Sequence, residues 1–164
     1  MRCFIACFVE GGTVGLQHLR RHVDGARWLP PGNLHVTLRF LGEIDETEVP
    51  RINQLIASLS GTQLRVTVSC LDGFPRRRRA RVVVARLGAE TGLDTWAHRL
   101  AETLGEPDKP FVAHVTLGRS RGGTSIPQAS SPAGFEIMLS TPALYESVPD
   151  ASGVTYRRID CPRT

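Results

Sequence analysis

The sequence is almost without lysine. Lys109 stands alone against nineteen arginines, so guanidinium groups carry the formal charge of +4. A GC-rich coding sequence accounts for such a bias. The planar guanidinium fork also suits phosphate, so the charge mildly favours an anionic partner. Cysteine is sparse too. Cys3, Cys7, Cys70 and Cys161 include no C-x-x-C pair and none lies beside a histidine at zinc-finger spacing. That argues against a structural zinc module and makes reduced thiols the simplest state. No apolar run approaches the roughly 20 residues that span a bilayer. No signal-peptide pattern is visible either, because the chain enters a strand-like segment at Cys3-Phe4-Ile5-Ala6. The expectation is a cytoplasmic protein with no membrane association. Low-complexity tracts are missing as well. With 41% hydrophobic and 22% charged residues, the 164 residues read as one globular unit spanning 1–164.

What is present alternates between strand and helix patterns. Residues 2–9 read as a strand ended by Gly11-Gly12, and Leu16, Leu19 and Val23 place a short amphipathic helix over 13–23. Trp28 to Asn33, with two prolines, reads as loop, and 34–42 as strand. Val49, Ile52, Leu55, Ile56 and Leu59 share one face of a helix over 47–59, with Pro50 in its first turn. Strands over 62–71 and 80–87 are joined by an arginine-rich loop, Arg76–Arg79. A helix over 92–104 turns Leu93, Trp96, Ala97, Leu100 and Leu104 inward, and a strand covers 111–119. After a Gly/Ser/Pro-rich loop at 121–134, strands lie near 135–139, 142–148 and 154–160. Strand–helix–strand units in both halves indicate α+β or α/β architecture, with sheets covered on one side by helices.

One segment occurs twice. Leu34-His35-Val36-Thr37-Leu38 returns as Ala113-His114-Val115-Thr116-Leu117, 79 positions on and near half the chain length away. Each copy lies in an expected strand, where alternate side chains share a face. His35 and Thr37 point one way and Val36 and Leu38 the other, and the same holds for the second copy. A pseudo-two-fold relation between the halves brings both polar pairs to one cleft. Two imidazoles there can serve as general base and general acid, and two threonine hydroxyls can hold the oxygens of a phosphate. No Asp, Glu or Cys lies on either motif to complete a metal site, so none is expected.

These motifs resemble the paired H-x-[ST]-x signatures of the two-histidine (2H) phosphoesterase superfamily. Within it the chain is similar to the RNA 2′,3′-cyclic phosphodiesterases, long named 2′-5′ RNA ligases. The similarity takes in Trp28–Pro31 with Asn33 to Glu43, then Phe74-Pro75 with the arginine-rich turn and Arg81-Val82. It continues through Lys109-Pro110-Phe111 to Arg119, and Leu144 to Ser147 with Tyr156. The resemblance implies an α+β bilobal fold, with two pseudo-symmetric antiparallel sheets flanking a central cleft and helices outside. It also implies hydrolysis of a 2′,3′-cyclic phosphate to a 2′-phosphomonoester without a cofactor, and a ligase activity without ATP. By position, His35 and His114 are the catalytic pair, Thr37 and Thr116 bind the phosphate, and Arg119 and Phe40 contact the substrate. Two departures stand out. Ala113 replaces the usual Pro before the second histidine, and Val84-Ala85 occupy a place where an aromatic is common.

Other signals weigh less. His18 and His22 have metal-ligand spacing but no third donor nearby, and His98 reads as surface. Arg76–Arg79 with Arg81 form either a basic rim for RNA phosphates or a solvated hairpin loop. Cys3 and Cys7 share a strand face as buried thiols, while Ser147 and Tyr156 are within reach of the cleft. RNA is the expected partner of a monomer with no obligate protein partner. The alternatives are a catalytically idle RNA-binding module, or an esterase of small cyclic nucleotides or 2′-5′-linked oligonucleotides.

Overall fold

Residues 3–9 are apolar at every position, a pattern that needs cover on both faces of a strand. A computed structural model, which describes residues 1–59, 61–88, 92–127 and 134–160, shows how both are covered. Cys3, Ile5 and Cys7 of strand β1 (Arg2–Gly11) enter the main core, while Phe4 and Ala6 enter a second cluster with Ala143 and Tyr145, flanked by Phe8 and Tyr156.

The remaining elements follow in order: α1 (Thr13–Leu19), β2 (Arg27–Trp28), β3 (His35–Glu43), α2 (Val49–Ser58), β4 (Leu64–Phe74) and β5 (Ala80–Leu87). Then come α3 (Gly92–Leu104), β6 (His114–Thr124), β7 (Phe135–Leu139), β8 (Ala143–Asp150) and β9 (Gly153–Arg158). All strand pairs are antiparallel. One group runs β3-β1-β8-β9, the other β2-β6-β5-β4-β7. The two groups are not separate sheets, since the end of β1 pairs through Val9 and Gly11 with β7.

The helices bury the faces their periodicity marks: Leu16 and Leu19 of α1, Val49, Ile52 and Ile56 of α2, and Leu93, Trp96, Ala97, Leu100 and Ala101 of α3. An Asp45–Glu48 capping box opens the 3-10 turn that leads into α2. Three local expectations are corrected. The first helix stops at Leu19 and passes into a 3-10 turn over Arg20–His22. Arg27 and Trp28 are strand, because β6 offers Arg119 and Gly118 as partners. The arginine-rich loop contains a 3-10 turn at Arg77–Arg79. Residues 128–133 of the expected Gly/Ser/Pro loop and Cys161 lie outside the described residues.

Candidate active site

The two H-x-T strands, β3 and β6, lie against one another without pairing. Val36, Leu38, Val115 and Leu117 are buried in the core, whereas His35, Thr37, His114 and Thr116 are half-buried on the other face. The alternation read from the sequence therefore holds for both copies. The charge of His114 disfavours the imidazolium form of His35.

The likeness reaches beyond the tetrapeptides. His35 Nδ1 lies 2.7 Å from the Asn33 carbonyl, and His114 Nδ1 lies 2.6 Å from the Val112 carbonyl. A carbonyl only accepts, so Nδ1 carries the proton in each ring and Nε2 is left for the cleft. The Val9 amide donates to the Leu34 carbonyl at 2.9 Å, and the Leu87 amide to the Ala113 carbonyl at 3.0 Å. Position 113 thus contributes through its carbonyl, which Ala and Pro offer alike.

Both motifs also carry a β-bulge at the same place. Ala6 faces Thr37 but Ile5 faces Arg39, skipping Leu38; Val84 faces Thr116 but Val83 faces Gly118, skipping Leu117. A bulge reverses the parity of every residue beyond it. Phe40 and Arg119, each five positions after a histidine, would otherwise turn away from the imidazole face. With the bulge they stand opposite Phe4 and Val82, on the same side as the histidines. Both are exposed.

Known proteins agree with this frame. The profile of the LigT like phosphoesterase family matches residues 9–84. An RNA 2′,3′-cyclic phosphodiesterase of Thermus thermophilus is 33% identical over 74% of this chain and 69% of its own length. The chain belongs to the LigT-like phosphoesterases. A relative of the same name from Aeropyrum pernix is 35% identical over 58% of this chain, and one from Archaeoglobus fulgidus 33% identical over 59%. The chain spans only 57% of the length of either. A solved structure from Thermus thermophilus superposes with a TM-score of 0.79 at 31% identity, covering 98% of this chain and 96% of that one. E. coli LigT complexed with 3′-AMP shares the fold, with a TM-score of 0.73 at 23% identity over 97% of this chain and 95% of that one.

On this LigT-like frame the two histidines have different neighbours. His35 stacks on Phe8 at 5.0 Å, with Phe4 at 5.2 Å and the edge of Tyr156 at 5.0 Å. Tyr145 backs Phe4 and Phe8, and Phe40 borders the group 6.4 Å from Phe4. His114 meets the edge of Phe74 at 5.1 Å and stands opposite Arg86 in the β5–β6 register. Burial holds both imidazoles below the ordinary histidine value, opposed in each case by the carbonyl bond. His114 lowers His35 further, and Arg86 lowers His114. Arg86 Nη1 donates to Asp72 Oδ2 at 3.1 Å, and Arg77 Nη1 lies 3.7 Å from Asp72 Oδ1.

The expected six site residues thus reach one region. Tyr156 joins them, and Ser147 is its partner in the β8–β9 register. Phe4, Phe8, Tyr145, Asp72 and Arg86 are not among those expected, although the unbroken apolar run at 3–9 signals that Phe4 and Phe8 need their own surroundings. Val84 is fully buried, and the ring beside His114 comes from Phe74 of β4. His18 and His22 are exposed, and among the described residues no group of three or more His, Cys, Asp or Glu side chains converges to hold a metal. A pocket of about 460 Å³ between α2 and the start of β8, lined by Asn53, Ile56, Pro142 and Arg158, is a different place from the histidine cleft.

Proposed function

We propose that the protein hydrolyses the 2′,3′-cyclic phosphate at the end of an RNA strand to a 2′-phosphomonoester, without a metal, using His35 and His114. The observation that carries this reading is the matched pair of imidazoles, each fixed by an Nδ1–carbonyl bond, with no hydrogen bond to Nε2 among the described residues, and each followed by a threonine on the same face. The relatives named RNA 2′,3′-cyclic phosphodiesterase support the substrate class.

The surroundings favour opposite roles for the histidines. Arg86 disfavours a charged His114, which suits a base. The Phe8 face stacked on His35 offsets part of the burial penalty on its cation, which suits an acid. His114 takes a proton from water as the water oxygen attacks phosphorus opposite the 3′-oxygen. The P–O3′ bond breaks, and His35 gives its proton to the leaving 3′-oxygen. Thr37 and Thr116 hold the non-bridging oxygens while charge builds on them. Arg119 and Phe40 hold the terminal nucleotide. A 5′-hydroxyl in place of water gives a 2′-5′ linkage by the same displacement, with no ATP.

The test is incubation with EDTA and RNA ending in a 2′,3′-cyclic phosphate. The expected product is a 2′-phosphate, with kcat reduced by about 10²–10⁴ in His35→Ala and His114→Ala. A 3′-phosphate product would mean that the other P–O bond breaks. Near-wild-type turnover in either variant overturns the assignment, and no reaction with the wild-type protein restores the idle binding module.

A further inference from the structure

Pseudo-symmetry shows where the two halves differ in chemistry. Phe8 stands opposite His35, and Arg86 stands opposite His114. Phe4 and Ala6 precede Phe8 on the same face of β1; Val82 and Val84 precede Arg86 on β5. One half therefore stacks a ring face on its histidine, and the other sets a cation and the edge of Phe74 beside its own. Arg86 is also held in place. Asp72 takes its Nη1 through one oxygen, and the other oxygen accepts the Gly73 amide at 2.8 Å and faces Arg77. Two guanidiniums about one carboxylate leave a net positive charge. Among the described residues Asp72 is the only hydrogen-bond partner of the Arg86 guanidinium, and that side chain is 43% exposed, so its other donors are unspent.

Resting on the function proposed above, we infer that Arg86, oriented by Asp72, is a subsite for a second phosphate, the phosphodiester one nucleotide upstream of the cyclic end. The reacting phosphate is already served by two imidazoles and two hydroxyls. Asp72 lies on β4, on the side of β5 away from β6, so its bond draws the guanidinium away from the His114 strand. A nucleoside 2′,3′-cyclic phosphate has nothing to offer that cation, whereas an RNA end has the next link of its own backbone. Arg86 thereby selects polynucleotide ends over free cyclic nucleotides.

The experiment compares kcat/KM for a nucleoside 2′,3′-cyclic phosphate with that for the dinucleotide ending in the same cyclic nucleotide. Wild type is expected to prefer the dinucleotide. Arg86→Gln should cut the preference ratio about tenfold, the loss of one charge-assisted hydrogen bond, mainly through KM, and Arg86→Lys should give an intermediate ratio. Without any mutation, log kcat/KM should fall more steeply with log salt for the dinucleotide, by about 0.7 for one more phosphate contact on a single strand. Equal wild-type rates and salt slopes for the two substrates overturn the subsite, as does an unchanged ratio in Arg86→Gln. Failure of the wild type to hydrolyse either substrate strikes instead at the function on which the subsite rests.

Discussion

At the residue scale the histidines tie stability and activity to one pH interval. Burial holds both folded-state values below the ordinary one. Between those values and about 6.5 the unfolded chain binds more protons than the folded one. The stability is therefore complete above the ordinary histidine value and lost as pH falls through the depressed ones. Tm measured from about pH 8 to about pH 5 should fall, and fall less in the double variant His35→Gln, His114→Gln; identical slopes would remove the histidines as the cause. On the proposed mechanism the same values bound catalysis, because the base must be neutral while the acid is charged. The alkaline limb of kcat/KM should accordingly begin below about pH 6.5. Cys7 takes no part in this interval, since burial pushes its thiol up to about 12.

At the scale of elements, the close approach of β2 to β6 rests on a missing side chain. A Cβ on Gly118 would lie 2.7 Å from the Trp28 ring and 2.8 Å from the Arg27 carbonyl, and a backbone oxygen cannot swing aside. Gly118→Ala should destabilise by about 1–3 kcal/mol through overpacking, read by urea unfolding; a loss of a few tenths would show that β2 shifts freely. The strand also shows what sequence discloses and what it hides. His35, Thr37, His114 and Thr116 were legible because alternation holds from each histidine to its threonine. The facing of Phe40 and Arg119 was not, because bulges at Leu38 and Leu117 reverse parity just beyond. A bulge is chosen by the partner strand, and nothing in Thr-Leu-Arg-Phe announces it. The same limit explains β2, a strand only because β6 offers it two partners, and Arg77, which read as part of an arginine run but is bound up with Asp72. The faces of α2 and α3 were legible, since their apolar spacing is local, whereas Val23, expected on the first helix, lies beyond its end in extended backbone.

For the whole molecule, the proposed active site is divided between two halves, which β1 joins by pairing with β3 and β8 along its length and with β7 at its end. Arg39 of β3 adds a second tie, donating to the Gly105 carbonyl at 2.7 Å and the Leu104 carbonyl at 3.4 Å, where α3 ends. Such ties link the strands that carry His35 and His114, and the joint action proposed for them predicts a distinctive signature. Were each histidine to act alone, the losses in His35→Ala and His114→Ala would multiply in the double variant. In a concerted displacement, removing either partner disables the step that both serve, and little is left for the second change to remove. The kcat of the double variant should then lie within about tenfold of the weaker single variant. A loss equal to the product of the two single losses would show independent action, and would break the link between the paired motifs and a shared reaction.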